Sequence, residues 1–217
     1  MKIFVIIPAH NEENNIAKVI GKVKKYSKNI VLVDDGSRDN TYDVAKKEGI
    51  IVLKHIVNLG KGAALKTGAD YAVENGADVL VFIDSDGQHD PAEIPNFLSG
   101  LDGVDIVFGS RKRAGQMPFI FRFGNWFISF VSKLLFGLEI SDTQSGYKAL
   151  TAEAYRKIRW KSLEYSVESE IIALAGKKRL KYKEIFIKTI YSDKYKGTTI
   201  LDGIKIVLNM IWWRLTL

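Results

Sequence analysis

The sequence has no cysteine, so disulfide staples, thiolate catalysis and cysteine-ligated metal are excluded, and any metal here needs oxygen or histidine ligands. Histidine is nearly absent too. His10, His55 and His89 lack the spacing of a histidine metal site, and no Ser-His-Asp order can be drawn through them. Four prolines, no internal repeat and no low-complexity linker leave nothing to mark a domain boundary. Also missing is an unbroken apolar run of about 20 residues, the length an ordinary transmembrane helix needs. The opening Met1-Lys2-Ile3-Phe4-Val5-Ile6-Ile7-Pro8 is too short for a secretory leader and has Glu12 and Glu13 close behind, so it reads as a buried strand.

What remains suits one globular domain over residues 1–217, because a chain of this length at 47% hydrophobic can bury a core without staples. The 32 Lys+Arg against 25 Asp+Glu leave a charge of +7, which favours a polyanionic partner: nucleic acid, anionic lipid or a phosphorylated substrate. Lys22, Lys24, Lys25 and Lys28 can form a basic face. A solvated helix surface is the better reading of them, and with no aromatic-basic interleaved strand we expect no nucleic-acid partner.

The first half alternates short β-branched runs with longer helical patterns, and the runs lack the polar alternation of a sheet with one wet face. Strands are expected at Lys2 to Ile7, Asn29 to Val33, Ile50 to His55, Val79 to Ile83 and Ile106 to Gly109. Helix starts are expected at Asn11 with Glu13 and Asn14, at Asp39-Asn40-Thr41, and at Asp90-Pro91. This βαβ succession predicts an α/β fold with an open, mostly parallel twisted sheet, helices on both faces, and ligands outside the carboxyl ends of the strands.

The strand-end segments therefore belong together: Pro8-Ala9-His10-Asn11-Glu12, Asp34-Asp35-Gly36-Ser37, Asn58-Leu59-Gly60-Lys61-Gly62, Asp84-Ser85-Asp86-Gly87 and Ser110-Arg111. Asp84 and Asp86 flank one residue, so on an extended backbone their carboxylates face the same way and repel unless a cation sits between them. Mg²⁺ or Mn²⁺ fits such a pair and completes its shell with phosphates and water. The alternative is a solvated Asp-rich turn capping the next helix. Asp34 and Asp35 can accept hydrogen bonds from a nucleobase or ribose, or merely cap the following helix. Gly60-Lys61-Gly62 is not a Walker loop, since His55 and Gly62 stand where glycine and Ser/Thr are required. Backbone amides at that helix start, with Lys61, can still meet a donor phosphate.

The second half holds two amphipathic stretches. From Pro118 to Leu138, Arg122, Asn125, Ser129 and Lys133 recur at helical spacing opposite Phe119, Phe123, Phe127, Phe130 and Leu134. From Ile200 onward Asp202, Lys205 and Asn209 make a narrow polar stripe before Trp212-Trp213-Arg214. These faces suit a membrane surface. Packing on the domain's own core or in a homo-oligomer is the alternative, and the density of aromatics favours the membrane surface.

Taken together, Pro8-Ala9-His10-Asn11-Glu12-Glu13, Val33 to Thr41, Asn58 to Ala64, Asp84 to Pro91, Gly109-Ser110-Arg111 and Asp142-Thr143-Gln144-Ser145-Gly146-Tyr147 resemble the family 2 glycosyltransferases of the GT-A fold. Among these the similarity is to the dolichyl- and polyprenyl-phosphate hexosyltransferases, and it runs nearly end to end. The resemblance implies that Pro8, Ala9, Asn11 and Glu12 meet the nucleobase, with Asp34 and Asp35 beside base and ribose. It implies that Lys61 lies near the nucleotide, Asp84, Ser85 and Asp86 serve donor phosphates and metal, and Gln88 lines the sugar site. Arg111 would meet the acceptor phosphate, joined by Lys194 and Lys196 of a mobile basic loop, and Asp142 and Glu170 would be acidic groups on the acceptor side. Residues 1–111 would form the nucleotide-sugar half and 112–217 the acceptor and membrane-interface half. The chain departs from the family pattern at Phe186, where proline is usual, and at Lys148, where arginine is common. Family members often continue into transmembrane helices, and the ending at Leu217 fits either a peripheral enzyme or the front part of a longer one.

The expected activity is inverting transfer of a mannose- or glucose-type hexosyl unit from a GDP- or UDP-sugar to a polyprenyl (dolichyl) phosphate, with Mg²⁺ or Mn²⁺, at the cytoplasmic face of a membrane. Arg111, Asp86, Asp142 and Glu170 would then stand at the reacting groups. A saccharide or protein hydroxyl acceptor would instead demand a base, with Asp142 or Glu170 as candidates. A silent nucleotide-binding membrane module is the reading from another class.

Overall fold

The computed structural model of the chain describes residues 1–111, 119–164, 166–188, 190 and 200–216. Its elements run β1 (Ile3–Ala9), α1 (Ile16–Val23), β2 (Asn29–Asp35), α2 (Thr41–Lys47), β3 (Ile51–His55), α3 (Lys61–Glu74), β4 (Val79–Phe82), a 3-10 turn (Pro91–Glu93), α4 (Ile94–Gly100) and β5 (Ile106–Arg111). There follow α5 (Phe119–Phe136), β6 (Lys148–Thr151), α6 (Ala152–Ile158), α7 (Val167–Lys177), β7 (Tyr182–Ile187) and α8 (Ile200–Thr216). The first five strands lie where the apolar runs predict. Strands β1, β2 and β5 continue further, so Asp34, Asp35, Ser110 and Arg111 are themselves strand residues.

All seven strands form one sheet in the order β3-β2-β1-β4-β6-β5-β7. Pairing is parallel except at β6, which runs antiparallel to both β4 and β5 with Lys148 opposite Phe82 on one side and Phe108 on the other. The sequence reading expected neither β6 nor β7. β6 has only four residues and begins at a lysine, so no apolar run announces it. Its reversed direction has a consequence for the site. Where a parallel strand would send its leading segment to the far edge, β6 brings residues 141–147 to the edge where β4 and β5 end.

Alternate residues of each strand serve the two faces. Phe4, Ile6, Val31 and Val33 pack with α3, α6 and α7 residues such as Leu65, Tyr155 and Ile171. Val5, Ile7, Ile30 and Leu32 pack with Ile16, Ile20, Ile94 and Phe97 from α1 and α4. Each buried Ile or Leu contributes about 1.5–3 kcal/mol relative to exposure, so the covered sheet anchors the loops at its edge.

Helix starts follow local chemistry, with one displacement. Asp90 caps Ala92 N at 3.1 Å with Pro91 in the first turn, and Thr151 caps Ala154 N at 3.0 Å. Helix α1, however, begins at Ile16 and not near Asn11. Asn11 sits in the left-handed region at φ 56°, and its polar atoms serve a neighbouring loop instead of the helix.

Candidate active site

Loops after β1 and β2 are joined by hydrogen bonds between residues far apart in sequence. Asn11 N donates to Ser37 Oγ at 2.9 Å, Arg38 N donates to Asn11 Oδ1 at 2.9 Å, Glu12 N donates to Thr41 Oγ1 at 2.8 Å, and Asn40 N donates to Glu13 Oε2 at 3.0 Å. The two motifs thus form one surface beside the strand-end residues Pro8 and Ala9. Gly36 is required there, since its φ is +66° and a Cβ would stand 2.4 Å from the Val57 carbonyl carbon.

The two aspartates of β2 differ. Asp35 accepts from Leu59 N at 2.9 Å, Gly60 N at 2.8 Å and pairs with His55 Nδ1 at 2.7 Å, so its carboxylate holds the turn into α3. Asp34 is buried; its Oδ1 accepts from Ser37 N at 3.2 Å, while Oδ2 has no hydrogen-bond partner and lies 3.8 Å from Lys54 Nζ. Of the two, Asp34 keeps acceptor capacity for a ligand.

Two of the amides at the helix start expected to meet phosphate, Gly60 N and Ala63 N, are engaged by protein atoms. Besides Gly60 N on Asp35, Ala63 N donates to Leu163 O at 3.0 Å, and a Cβ on Gly62 would stand 2.3 Å from Ser162 O. The glycines around Lys61 serve close packing of the 160–163 segment, whose Trp160 Nε1 donates to Gly62 O at 2.9 Å. Only the Lys61 side chain turns to the carboxylates. Its Nζ lies 2.6 Å from Asp84 Oδ1 and 3.0 Å from Glu168 Oε1.

Asp84 and Asp86 consequently have opposite electrostatics. Burial works to raise the Asp84 carboxyl, but Lys61 and the other positive groups around it hold it down to about 2. Asp86 is raised by burial and by the Asp84 charge, although Gln88 N donates to its Oδ1 at 3.0 Å. Among the described residues no cationic side chain pairs with Asp86. His89, buried and 3.7 Å from Asp84 Oδ2, is pushed down to about 4 by burial and is neutral at pH 7. No cluster of three acidic or histidine side chains among the described residues could cage a metal. A hard divalent cation needs only one or two carboxylates when phosphate and water complete its shell. The crowded negative charge at Asp86 and Asp84 fits that demand.

Beyond the pair lie groups from the second half. Glu168 is buried with one oxygen on Lys61 and the other bound by Lys148, whose Nζ also donates to Ser145 O at 2.7 Å. Gly146 abuts the same cluster, since a Cβ there would stand 2.4 Å from Asp84 Oδ2 and 2.7 Å from Lys61 Nζ. Sequence reasoning missed Glu168 and took Lys148 only as a departure from pattern. The signal available was an acidic Val167-Glu168-Ser169-Glu170 segment in which both glutamates are buried.

Glu170 itself points elsewhere. Its carboxylate accepts from Lys161 N at 2.9 Å and Ser162 N at 2.6 Å, so it holds the segment packed on α3, and Glu168 is the member that reaches Lys61. Asp142 clamps Arg111 in bidentate fashion, with Nε to Oδ2 at 2.6 Å, an Nη to Oδ1 at 2.9 Å, and Arg111 N to Oδ2 at 3.2 Å. Burial works to raise Asp142, and Arg111 outweighs it to leave the carboxyl low. Ser141, just before it, accepts from Ser129 of α5 through its carbonyl at 3.4 Å and donates through its amide to Glu184 at 2.7 Å. Lys194 and Lys196 lie outside the described residues.

Helix α5 packs on α8 through Ile128, Val131, Ile206 and Met210. Trp126, Phe127, Phe130 and Leu134 of α5 and Ile204, Leu208, Ile211, Trp212 and Leu215 of α8 remain exposed. The described side chains show an amphipathic face on both helices; those of Phe119, Arg122, Phe123, Asn125 and Asp202, also expected to take part, lie outside the described side chains. The two helices satisfy each other in part and leave an apolar surface unusually rich for a water-facing protein. No described helix is long and apolar enough to cross a membrane.

The sheet, its reversed strand and the carboxylates at its edge define the GT-A class of glycosyltransferase fold. The chain overlays, over 100% of its length, 80% of glucosyl-3-phosphoglycerate synthase from Mycobacterium tuberculosis in a structure with Mg²⁺ and uridine diphosphate, at TM-score 0.75 and 20% identity, a likeness of fold. The profile of glycosyl transferase family 2 matches residues 4–159, and the chain belongs to that family. It is 42% identical to an uncharacterized protein of Methanocaldococcus jannaschii, covering 97% of this chain and 91% of the other. It is 35% identical to the UDP-N-acetylglucosamine–dolichyl-phosphate N-acetylglucosaminyltransferase of Methanococcus voltae, covering 96% and 94%. With the undecaprenyl-phosphate mannosyltransferase of Micrococcus luteus the identity is 30%, over 76% of this chain and 72% of that one.

Proposed function

We propose that the protein transfers a hexosyl unit from a nucleoside-diphosphate sugar, GDP- or UDP-linked, to a polyprenyl phosphate at a membrane surface, with inversion at the anomeric carbon. The observation that carries this reading is the junction at Arg111. This guanidinium ends β5 at the sheet edge, is clamped by Asp142, and is linked through Ser141 to α5, the helix with the exposed aromatic face. A phosphate on an apolar chain needs that combination of a cation at the cleft and an apolar surface beside it. The named relatives that act on dolichyl or undecaprenyl phosphate support the same acceptor.

In this reading residues 1–111 hold the donor. Pro8, Ala9, Asn11, Glu12 and Asp34 face base and ribose, Asp35 holds the adjoining turn, Lys61 meets the diphosphate, and Gln88 lines the sugar. A divalent cation held by Asp84 and Asp86 would neutralise charge on the leaving diphosphate. An acceptor phosphate oxygen attacks the anomeric carbon as its bond to the diphosphate oxygen breaks, releasing the nucleoside diphosphate. The acceptor is already an anion at pH 7, so no base is needed and catalysis rests on positioning and charge balance. The two carboxylates a hydroxyl acceptor would call upon are poorly suited as bases: Asp142 is locked on Arg111, and Glu170 is occupied by backbone amides. In this reading the enzyme attaches peripherally through α5 and α8 at the cytoplasmic face, where nucleotide sugars are supplied.

Transfer from GDP- and UDP-sugars to a short-chain polyprenyl phosphate, with and without Mn²⁺, tests the reading. Asp84→Ala and Asp86→Ala should each lose on the order of 10²–10³-fold in rate. Full metal-dependent transfer by both variants would sink the assignment. Preference for sugar or protein hydroxyl acceptors would move the acceptor, and tight nucleotide-sugar binding without any turnover would favour the silent module.

A further inference from the structure

Lys61 occupies a position that its place near a nucleotide does not by itself explain. Its ammonium sits between two carboxylates, on Asp84 at 2.6 Å and beside Glu168 at 3.0 Å. Its backbone is immobilised, because Gly60 N is bound by Asp35, Gly62 O by Trp160 and Ala63 N by Leu163. The four-carbon stem is therefore the only part free to move. Gly146 closes the pair from one side, with no room even for a methyl group. Glu168 Oε1 is buried and has only the ion pair to Lys61 at 3.0 Å, with no aligned hydrogen bond, while its other oxygen is held by Lys148.

A divalent cation held by Asp84 would draw on its carboxylate oxygens. The Lys61 ammonium already lies against one of those oxygens, so the two positive charges cannot share it without strong repulsion. Glu168 offers the displaced ammonium a second anionic seat, and a donor diphosphate offers a third.

We infer that Lys61 is the built-in counter-ion of the metal-free site. It neutralises Asp84 until the cation arrives and then shifts toward Glu168 and the donor diphosphate. This rests on the reading that Asp84 and Asp86 hold the cation. Bare metal must evict the ammonium with little return, whereas metal arriving with a nucleoside diphosphate brings the anion that receives it. Metal and nucleotide therefore bind interdependently, each strengthening the other by the same factor, and Lys61 sets that factor.

The test is a titration of metal-free protein with Mn²⁺ followed by electron paramagnetic resonance, alone and with GDP or UDP, which needs no turnover. Lys61→Met should bind Mn²⁺ alone roughly tenfold more tightly than the wild type, and the gain produced by nucleotide should shrink. Lys61→Arg, which keeps the charge, should stay near the wild type. Unchanged or weaker binding of Mn²⁺ alone by Lys61→Met overturns the inference. Lys61→Gln replaces it in the same titration if the methionine variant fails to fold. Asp86→Asn separates the two levels. If it loses Mn²⁺ binding with nucleotide while Lys61→Met changes nothing, the carboxylate site stands and only the counter-ion role falls. If Asp86→Asn binds Mn²⁺ with nucleotide as the wild type does, the carboxylate site and the counter-ion role fall together.

Discussion

On the β1–β4 side of the cleft, loops distant in sequence are fastened by hydrogen bonds between Asn11, Glu12 and Glu13 and Ser37, Arg38, Asn40 and Thr41. On the α5–α8 side the helices meet through four buried apolar residues and leave large aromatic and aliphatic side chains uncovered. The first region has its polar groups arranged in advance for a rigid polar ligand. The second offers area without fixed geometry, which suits a ligand that is long, apolar and conformationally loose. Arg111 stands where the two meet.

The sharpest way to break this comparison is to remove that junction. Arg111→Met should lower the rate of transfer on the order of 10³-fold while leaving nucleotide affinity in calorimetry unchanged. A parallel loss of nucleotide binding would mean that Arg111 belongs to the donor side.

The second prediction concerns how much stability the β1–β4 side gives up to keep His89 buried. His89 has its pKa depressed to about 4, so in acid the unfolded chain takes up a proton before the folded one does. Its contribution is complete above pH 6.5 and drains away as pH falls toward 4, costing about 3 kcal/mol. Asp84, held at about 2, adds a further loss only below its ordinary value of 3.8. Urea unfolding in EDTA at pH 7, 6 and 5 should show the decline in the wild type and a flatter profile in His89→Gln. Equal slopes would show that the buried imidazole is not the group responsible.

Third, Gly146→Ala should force Asp84 or Lys61 to move, and a displacement of about 1 Å at reacting groups costs on the order of 10²-fold in kcat/KM. The effect should appear in Mn²⁺-nucleotide affinity as well, with melting temperature little changed. An alanine variant with wild-type kinetics would show that the cluster is looser than its distances imply.

The smallest effect is expected on the apolar side, where area is shared by many residues. Replacing Phe130 and Trp212 together by serine should weaken co-sedimentation with anionic lipid vesicles by about tenfold and leave transfer to a short-chain, water-soluble acceptor intact. Unaltered sedimentation would turn attention to a second copy of the chain as the occupant of that face.

Much of the β1–β4 side was legible in the residues. Strands β1 to β5 announce themselves through β-branched runs, and the charged or glycine-rich segments at their ends are costly as ordinary buried turns, so their convergence on one edge followed from the parallel arrangement. For individual residues the structure adds protein partners that no local pattern announces. Asp35 and Glu170 hold backbone amides, and Gly60 N and Ala63 N beside Lys61 donate to protein atoms, because a carboxylate or N–H buried beside an unpaired backbone group is satisfied locally before any ligand arrives. Phe186 sits exposed on β7, a strand whose mixed polar and apolar residues carry no clear period.

By itself the sequence determined the layered sheet, the paired carboxylates at its edge, and two amphipathic helices with more apolar surface than one core can absorb. These follow from local periodicity and from the spacing of neighbours along the chain. The tertiary structure alone decided that β6 runs against its neighbours and thereby brings Gly146 and Lys148 to Asp84. It also decided that Glu168 and not Glu170 faces Lys61, and that Asp142 is a clamp for Arg111. Those outcomes depend on pairings between residues far apart in the chain, such as Lys61 and Glu168, where packing and the burial of charge choose the partner and no local pattern records the choice.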